Sequence, residues 1–154
     1  MKLKHTLLLF ILGFITSCSR VVSYEEMQTM NEGFVLPAQP SKGMAMVYVV
    51  KPEGEGTIIK FNVFLDTKKA ESEVGYTRGA QHIYFDVTPG VHKIFSNAEN
   101  WAEIEIELKD GDIVYIKQNV HIGVIMARNS LDKLDEVEGK YFVSQTETGT
   151  ILKK

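Results

Sequence analysis

Cysteine is nearly absent: Cys18 is the single thiol among 154 residues, so no intramolecular disulfide forms and Cys-rich zinc sites are excluded. A long hydrophobic run is missing too. The longest, over residues 7–15, is about half of the ~20 residues a helix needs to cross the hydrocarbon core. Neither sign of charge dominates, with 17 basic residues against 20 acidic ones, a net charge of -3 and a pI near 5.8. Nucleic-acid binders concentrate Lys and Arg into a footprint, which this composition does not supply. Phosphate-cradling glycine loops are lacking, because the Gly54 and Gly56 pair has neither a third glycine nor a following helix. No G-x-S-x-G elbow marks a nucleophile, and internal repeats and low-complexity tracts are absent. What is there is a chain 44% hydrophobic and 24% charged, with length for one globular domain.

The N-terminus has the layout of an export signal. Lys2 and Lys4 form a positive start, residues 7–15 an apolar stretch interrupted by Gly13, and Thr16 and Ser17 a small-residue end. The order Ile15-Thr16-Ser17-Cys18 resembles the bacterial lipobox, in which an aliphatic and two small residues precede a cysteine that accepts a diacylglycerol. The alternative is a plain signal peptide with an incidental cysteine. The lipobox resemblance implies cleavage after residue 17, a lipid on Cys18 and a membrane-held chain, because two or three acyl chains anchor almost permanently at about 0.8 kcal/mol per buried methylene. Ser19 is not the aspartate that commonly retains lipoproteins in the inner membrane, which points to the outer membrane. Loss of Lys2 and Lys4 leaves 15 basic against 20 acidic residues, a mature charge of -5.

Residues 18–42 carry few strand signals and include Pro37 and Pro40, so they read as a lipidated N-terminus and tether. Within it, Ser23 and Glu26 make a capping box, Met27 and Met30 share a helical face and Gly33 offers a stop, predicting a short helix over 24–31. From residue 43 to 154 the hydrophobic pattern has period two with punctuation every eight to twelve residues, which predicts an all-β antiparallel sandwich. Ile104, Ile106 and Leu108 alternate with Glu103, Glu105 and Glu107; Ile59, Phe61, Val63 and Leu65 make one strand face; Ile83, Phe85 and Val87 another. The 43–50 strand is apolar on both faces and is therefore expected in the centre of a sheet. Pro89-Gly90 and Asp110-Gly111 read as hairpin turns, Glu53-Gly54-Glu55-Gly56 as the first connection and 66–73 as a longer polar one. The last part is read as a strand near 131–136 followed by a helical turn.

Candidate chemistry is sparse. His5 leaves with the signal, and His82, His92 and His121 lack the close spacings of metal sites. His82 and His92 facing each other across Pro89-Gly90 would be the one way to share a metal, against the simpler reading of cross-strand packing. Trp101, at a strand start, and Tyr115 are candidate contacts for a ligand or partner, with sheet packing as the alternative. The Glu103, Glu105 and Glu107 stripe reads as a solvated face. No catalytic residue, metal or cofactor is assigned.

Four segments occur in a telling order: Ala45-Met46-Val47-Tyr48-Val49-Val50-Lys51-Pro52, then Val63-Phe64-Leu65-Asp66, then Val87-Thr88-Pro89-Gly90-Val91-His92, then Asp110-Gly111-Asp112-Ile113-Val114-Tyr115. Together with the lipobox this order resembles a family of small bacterial lipoproteins known only as a domain of unknown function. The resemblance covers roughly residues 45–137 and implies an Ig-like or transthyretin-like sandwich held at the cell envelope. It implies no catalytic residues. Lys51 stands where arginine is more usual, which weakens any bidentate contact there. The expectation is a non-enzymatic envelope lipoprotein that contacts a protein partner or supports an assembly; the alternative is a module binding a glycan, peptidoglycan fragment or lipid.

Overall fold

The computed structural model describes residues 21–52, 58–125 and 127–153. The expected signal sequence, Cys18 and the Glu53-Gly54-Glu55-Gly56 connection lie outside the described residues. The period-two segments form two packed five-stranded sheets. The first has the order β8 (Ala127–Leu134), β7 (Ile113–Ile122), β1 (Ala45–Lys51), β4 (Gln81–Val87) and β9 (Glu147–Thr148). The second runs β10 (Thr150–Ile151), β3 (Glu73–Thr77), β2 (Phe61–Leu65), β5 (Gly90–Asn97) and β6 (Trp101–Leu108). β1 is parallel to β7 and β4 to β9, and the other pairings are antiparallel. The chain is an all-β sandwich.

Alternation sends Val47, Val49, Ile83, Phe85, Val114 and Ile116 inward from the first sheet against Val63, Ile94, Ile106 and Leu108 of the second. Each such side chain contributes roughly 1.5–3 kcal/mol relative to exposure. β1 is buried along its whole length and lies in the middle of its sheet, as its two apolar faces predict. Its second face, Met46, Tyr48 and Val50, belongs to a separate apolar cluster with Leu36, Tyr115 and Val143. That cluster is roofed by residues 34–38 and by the helix α2 (Glu136–Ser144).

The segment expected as a tether is fastened to the domain from residue 23 onward. The helix α1 (Tyr24–Met30) starts at the predicted capping box: Ser23 Oγ accepts from Glu26 N at 3.3 Å, and the Glu26 carboxylate accepts from Ser23 N at 2.9 Å. Asn31 caps its C-terminus and donates its side-chain amide to Val137 O of α2, and Gly33 follows at φ +76°. Phe34, Leu36 and Ala38 then pack on the outer face of the first sheet. Tyr48 Oη donates to Ala38 O at 2.7 Å and accepts from Ala38 N at 2.9 Å. Burial pushes this hydroxyl up to about 12, so it stays a neutral donor.

Two turns act differently from their expected role. Pro89-Gly90 and Asp110-Gly111 are not hairpin turns: β4 and β5 lie in different sheets, as do β6 and β7. Gly90 (φ +138°) and Gly111 (φ +81°) supply the sharp reversal. That local chemistry serves a crossing between sheets as well as a hairpin within one. Hairpins instead join β2 to β3, β5 to β6 and β7 to β8. The last part also differs: β8 starts four residues earlier than expected and ends at Leu134, and α2 is a helix of nine residues rather than a turn. β8 hides from pattern reading because an inward position holds the polar Asn129. In α2 the close packing position is Gly139, which carries no hydrophobic signal.

Candidate functional site

Two ends orient the sandwich. Residues 43–45, 88–92, 109–113 and 134–136 gather at one, hereafter the near end. Residues 51, 77–81, 97–101, 122–125 and 127 gather at the other, the far end. α1 contacts α2 where α2 begins, at the near end.

The histidines do not meet. His82 pairs with Val50 towards the far end of β4 and is buried, its Nδ1 2.9 Å from Thr146 Oγ1. Burial lowers its pKa, and a hydrogen bond to Thr146 pulls the other way. His92 sits at the near end in the other sheet. Its Nδ1 lies 3.0 Å from Asp66 Oδ2 and its Nε2 2.9 Å from Thr88 O. Asp66, held at φ +62°, also accepts from Lys93 N at 3.1 Å. The Pro-Gly-x-His sequence is thus a latch tying the crossing between sheets to the β2–β3 connection. Among the described residues no group of three or more His, Cys, Asp or Glu is placed to hold a metal ion.

Trp101 and Tyr115 are not brought together. Trp101 opens β6 at the far end, 41% exposed, with its ring 5.1 Å from Phe64. The Lys68 ammonium lies 5.4 Å from its ring centroid and 4.9 Å from that of Phe95, and pairs with Glu103 at 3.5 Å. A cation therefore already occupies this aromatic surface. Tyr115 is 3% exposed, stacked on Tyr48 at 5.7 Å beneath α2. Its pKa is raised by burial. It belongs to the packing layer, and an aromatic platform built from both residues does not form.

Sequence reasoning missed a buried polar group between the sheets towards the far end. Thr77 Oγ1 donates to Gln118 Oε1 at 2.5 Å, and Gln118 Nε2 donates to Ser96 Oγ at 2.8 Å. Lys51 is also fully buried here, its ammonium 4.6 Å from the Phe61 ring centroid, and desolvation lowers its pKa. The available signal was parity: Gln118 follows Val114 and Ile116 on the inward face.

The strand edges differ in what they offer. β9 and β10 end their sheets after two residues each. β8 is longer, but its outward backbone groups towards the far end are taken. Ala127 O accepts from Glu99 N at 3.2 Å, Asn129 N donates to Asn100 Oδ1 at 2.7 Å, and Asn129 O accepts from Asn100 Nδ2 at 2.9 Å. β6 is an eight-residue edge that lies beside β8 where Asn100 meets Asn129, and its outer side pairs with no strand among the described residues. In β5 the Lys93 backbone turns to Asp66, on the β2 side. Alternation then directs the Ile94 backbone to Ile104, its partner in β6, and leaves the amides of Glu103, Glu105 and Glu107 facing outward. The three carboxylates line the outer face and are exposed.

A mixed groove of about 760 Å³ lies at the near end, between Phe34–Leu36 and the start of α2. Ile113 and Leu134 line it with Asp112 and Lys133. No known protein-family profile matches the chain. Over 134 residues it is 25% identical to an uncharacterized protein of Haemophilus influenzae, a match covering 85% of this chain and 75% of that protein. The likeness is distant and brings no activity, ligand or partner with it.

Proposed function

We propose that the chain is a lipid-anchored envelope protein that works without catalysis, holding a partner protein by adding one of the partner's strands to the open edge of β6. The observation that carries this reading is the contrast between edges. Natural sheets shorten, cover or block their edges, because unpaired N–H and C=O groups template pairing with another chain. Here β9 and β10 are short, the far half of β8 is blocked by Glu99 and Asn100, and β6 is long and regular. Glu103, Glu105 and Glu107 repel a second copy of the same strand and accept a neutral or basic one. Strand addition draws its affinity from the main chain and its selectivity from alternate side chains. The anchor is supported by Ile15-Thr16-Ser17-Cys18 behind an apolar run, and Ser19 favours the outer membrane.

The test is in-cell crosslinking of the natively produced protein with a photoreactive residue replacing Glu107. A second form also carries Glu105→Pro, which removes an outward N–H while sparing the bonds to β5. The reading expects one dominant envelope-protein adduct that the proline abolishes and that Cys18→Ser weakens. An adduct unchanged by Glu105→Pro in a folded protein would end the strand-addition reading.

A further inference from the structure

The β7–β8 tip departs most from what a soluble sandwich needs. Ile122, Val124 and Ile125 are 83%, 89% and 87% exposed, side by side on one hairpin. No Asp, Glu, Lys or Arg occurs between Lys117 and Arg128. A contiguous exposed apolar patch marks an interaction surface. Its backbone is tied from within by the β5–β6 turn: Val124 N donates to Glu99 Oε1 and Ile125 N to Glu99 Oε2, each at 3.0 Å, which keeps the Glu99 carboxylate at the polar base of the tip. Two amides that would otherwise need water at the tip are thereby satisfied from within. One rung below, His121 and Arg128 are register partners across the hairpin, both exposed. Arg128 has no ion-pair partner among the described residues.

An apolar cap with an arginine at its base matches the layering of a bilayer surface, acyl chains above and an anionic phosphate beside the cation. We propose that the β7–β8 tip inserts into the acyl layer of a phospholipid bilayer, with Arg128 at phosphate depth. The proposal rests on the reading that the chain resides at a membrane. It adds a second attachment point and so an orientation. Cys18 is five residues from Ser23, at most about 18 Å of chain, and α1 lies at the near end. The tip lies at the far end, about 30 Å away along β7. One bilayer holding both points inclines the strands towards its surface instead of leaving them upright on it.

The test uses the full chain purified from bacterial membranes, with an environment-sensitive fluorescent amino acid replacing Val124, reconstituted in vesicles of phosphatidylethanolamine and phosphatidylglycerol. A second protein carries the probe in place of Glu107. The expected result is blue-shifted emission at 124 and quenching by nitroxides on the acyl chains, with a solvent-like signal at 107. Adding Arg128→Ala, or replacing phosphatidylglycerol by phosphatidylcholine, should reduce the quenching at 124 several-fold. A solvent-like probe at 124 in vesicles overturns the proposal. So does a blue shift found in native membranes but lost in pure lipid, which assigns the tip to a protein pocket. Flotation and intact mass report the anchor separately. Should Cys18 carry no lipid, the same probe titrated with vesicles still reads whether the tip inserts by itself.

Discussion

Replacing Gly139 by alanine should destabilise the domain, against the usual sign for a glycine inside a helix. In an exposed helix interior the change gains about 1 kcal/mol. Here a Cβ at position 139 would fall within 2.6 Å of Tyr115 Cβ and closer still to its Cγ. Those atoms lie at the root of the side chain, and the ring is stacked on Tyr48, so rotation away is blocked. Relief requires α2 to lift from the outer cluster. Overpacking of this kind costs about 1–3 kcal/mol, sometimes more. The overlap is with atoms that cannot swing away, which puts the cost in the upper part of that range, so the net expectation is a loss of about 1–2 kcal/mol, or roughly 3–8 °C in Tm for a domain of this size. Urea titration followed by far-UV circular dichroism measures it. In a Tyr115→Ala background, where Cγ is gone, the cost should shrink by about 1 kcal/mol or more. A stabilised Gly139→Ala protein, or an equal cost in both backgrounds, would refute the packing argument.

Gln118→Ala strands the Thr77 and Ser96 hydroxyls between the sheets and should cost about 2–5 kcal/mol, read by the same titration; a loss under ~1 kcal/mol would mean water replaces the amide. Because burial holds the His82 pKa below 6.5, the unfolded chain binds more protons than the folded one below that pH. Stability should therefore fall as pH drops from about 6.5, with no contribution above it, and His82→Gln should flatten the slope between pH 7 and 5. An unchanged slope would contradict the assignment. Glu99→Ala frees Val124 N and Ile125 N, so their amide exchange should accelerate at least several-fold while that of β1 stays as it was. His92→Ala removes the contacts to Asp66 and Thr88 O and should cost about 1–2 kcal/mol, with exchange rising in residues 66–69.

Period-two patterning made the sandwich legible, and the double-sided apolar pattern of Ala45–Lys51 located the central strand. Ser23 and Glu26 announced α1 because a capping box is a local device. The sheet partners of β4 to β7 were illegible for the converse reason. Gly90 and Gly111 specify a backbone reversal, whereas membership of a sheet depends on contacts distant in sequence. Residues 34–38 looked like linker because their partner, the outer face of the first sheet, is itself built from remote strands. Tyr115 looked like a ligand contact for the same reason: no local signal reveals that α2 covers it. The open edge of β6 was only half visible, since its glutamates stand in the alternation while the blocking of β8 by Asn100 needs coordinates.

The claim beneath the rest is that this domain is held to a membrane through Cys18. Intact mass spectrometry of the protein isolated from bacterial membranes, beside its Cys18→Ser form, tests it most directly. The account predicts a chain starting at Cys18 and heavier by a diacylglyceryl group, with or without a further acyl chain, whereas the serine form keeps residues 1–17 and gains no lipid. A chain of unmodified mass, or one cut elsewhere and recovered free of membranes, would contradict it.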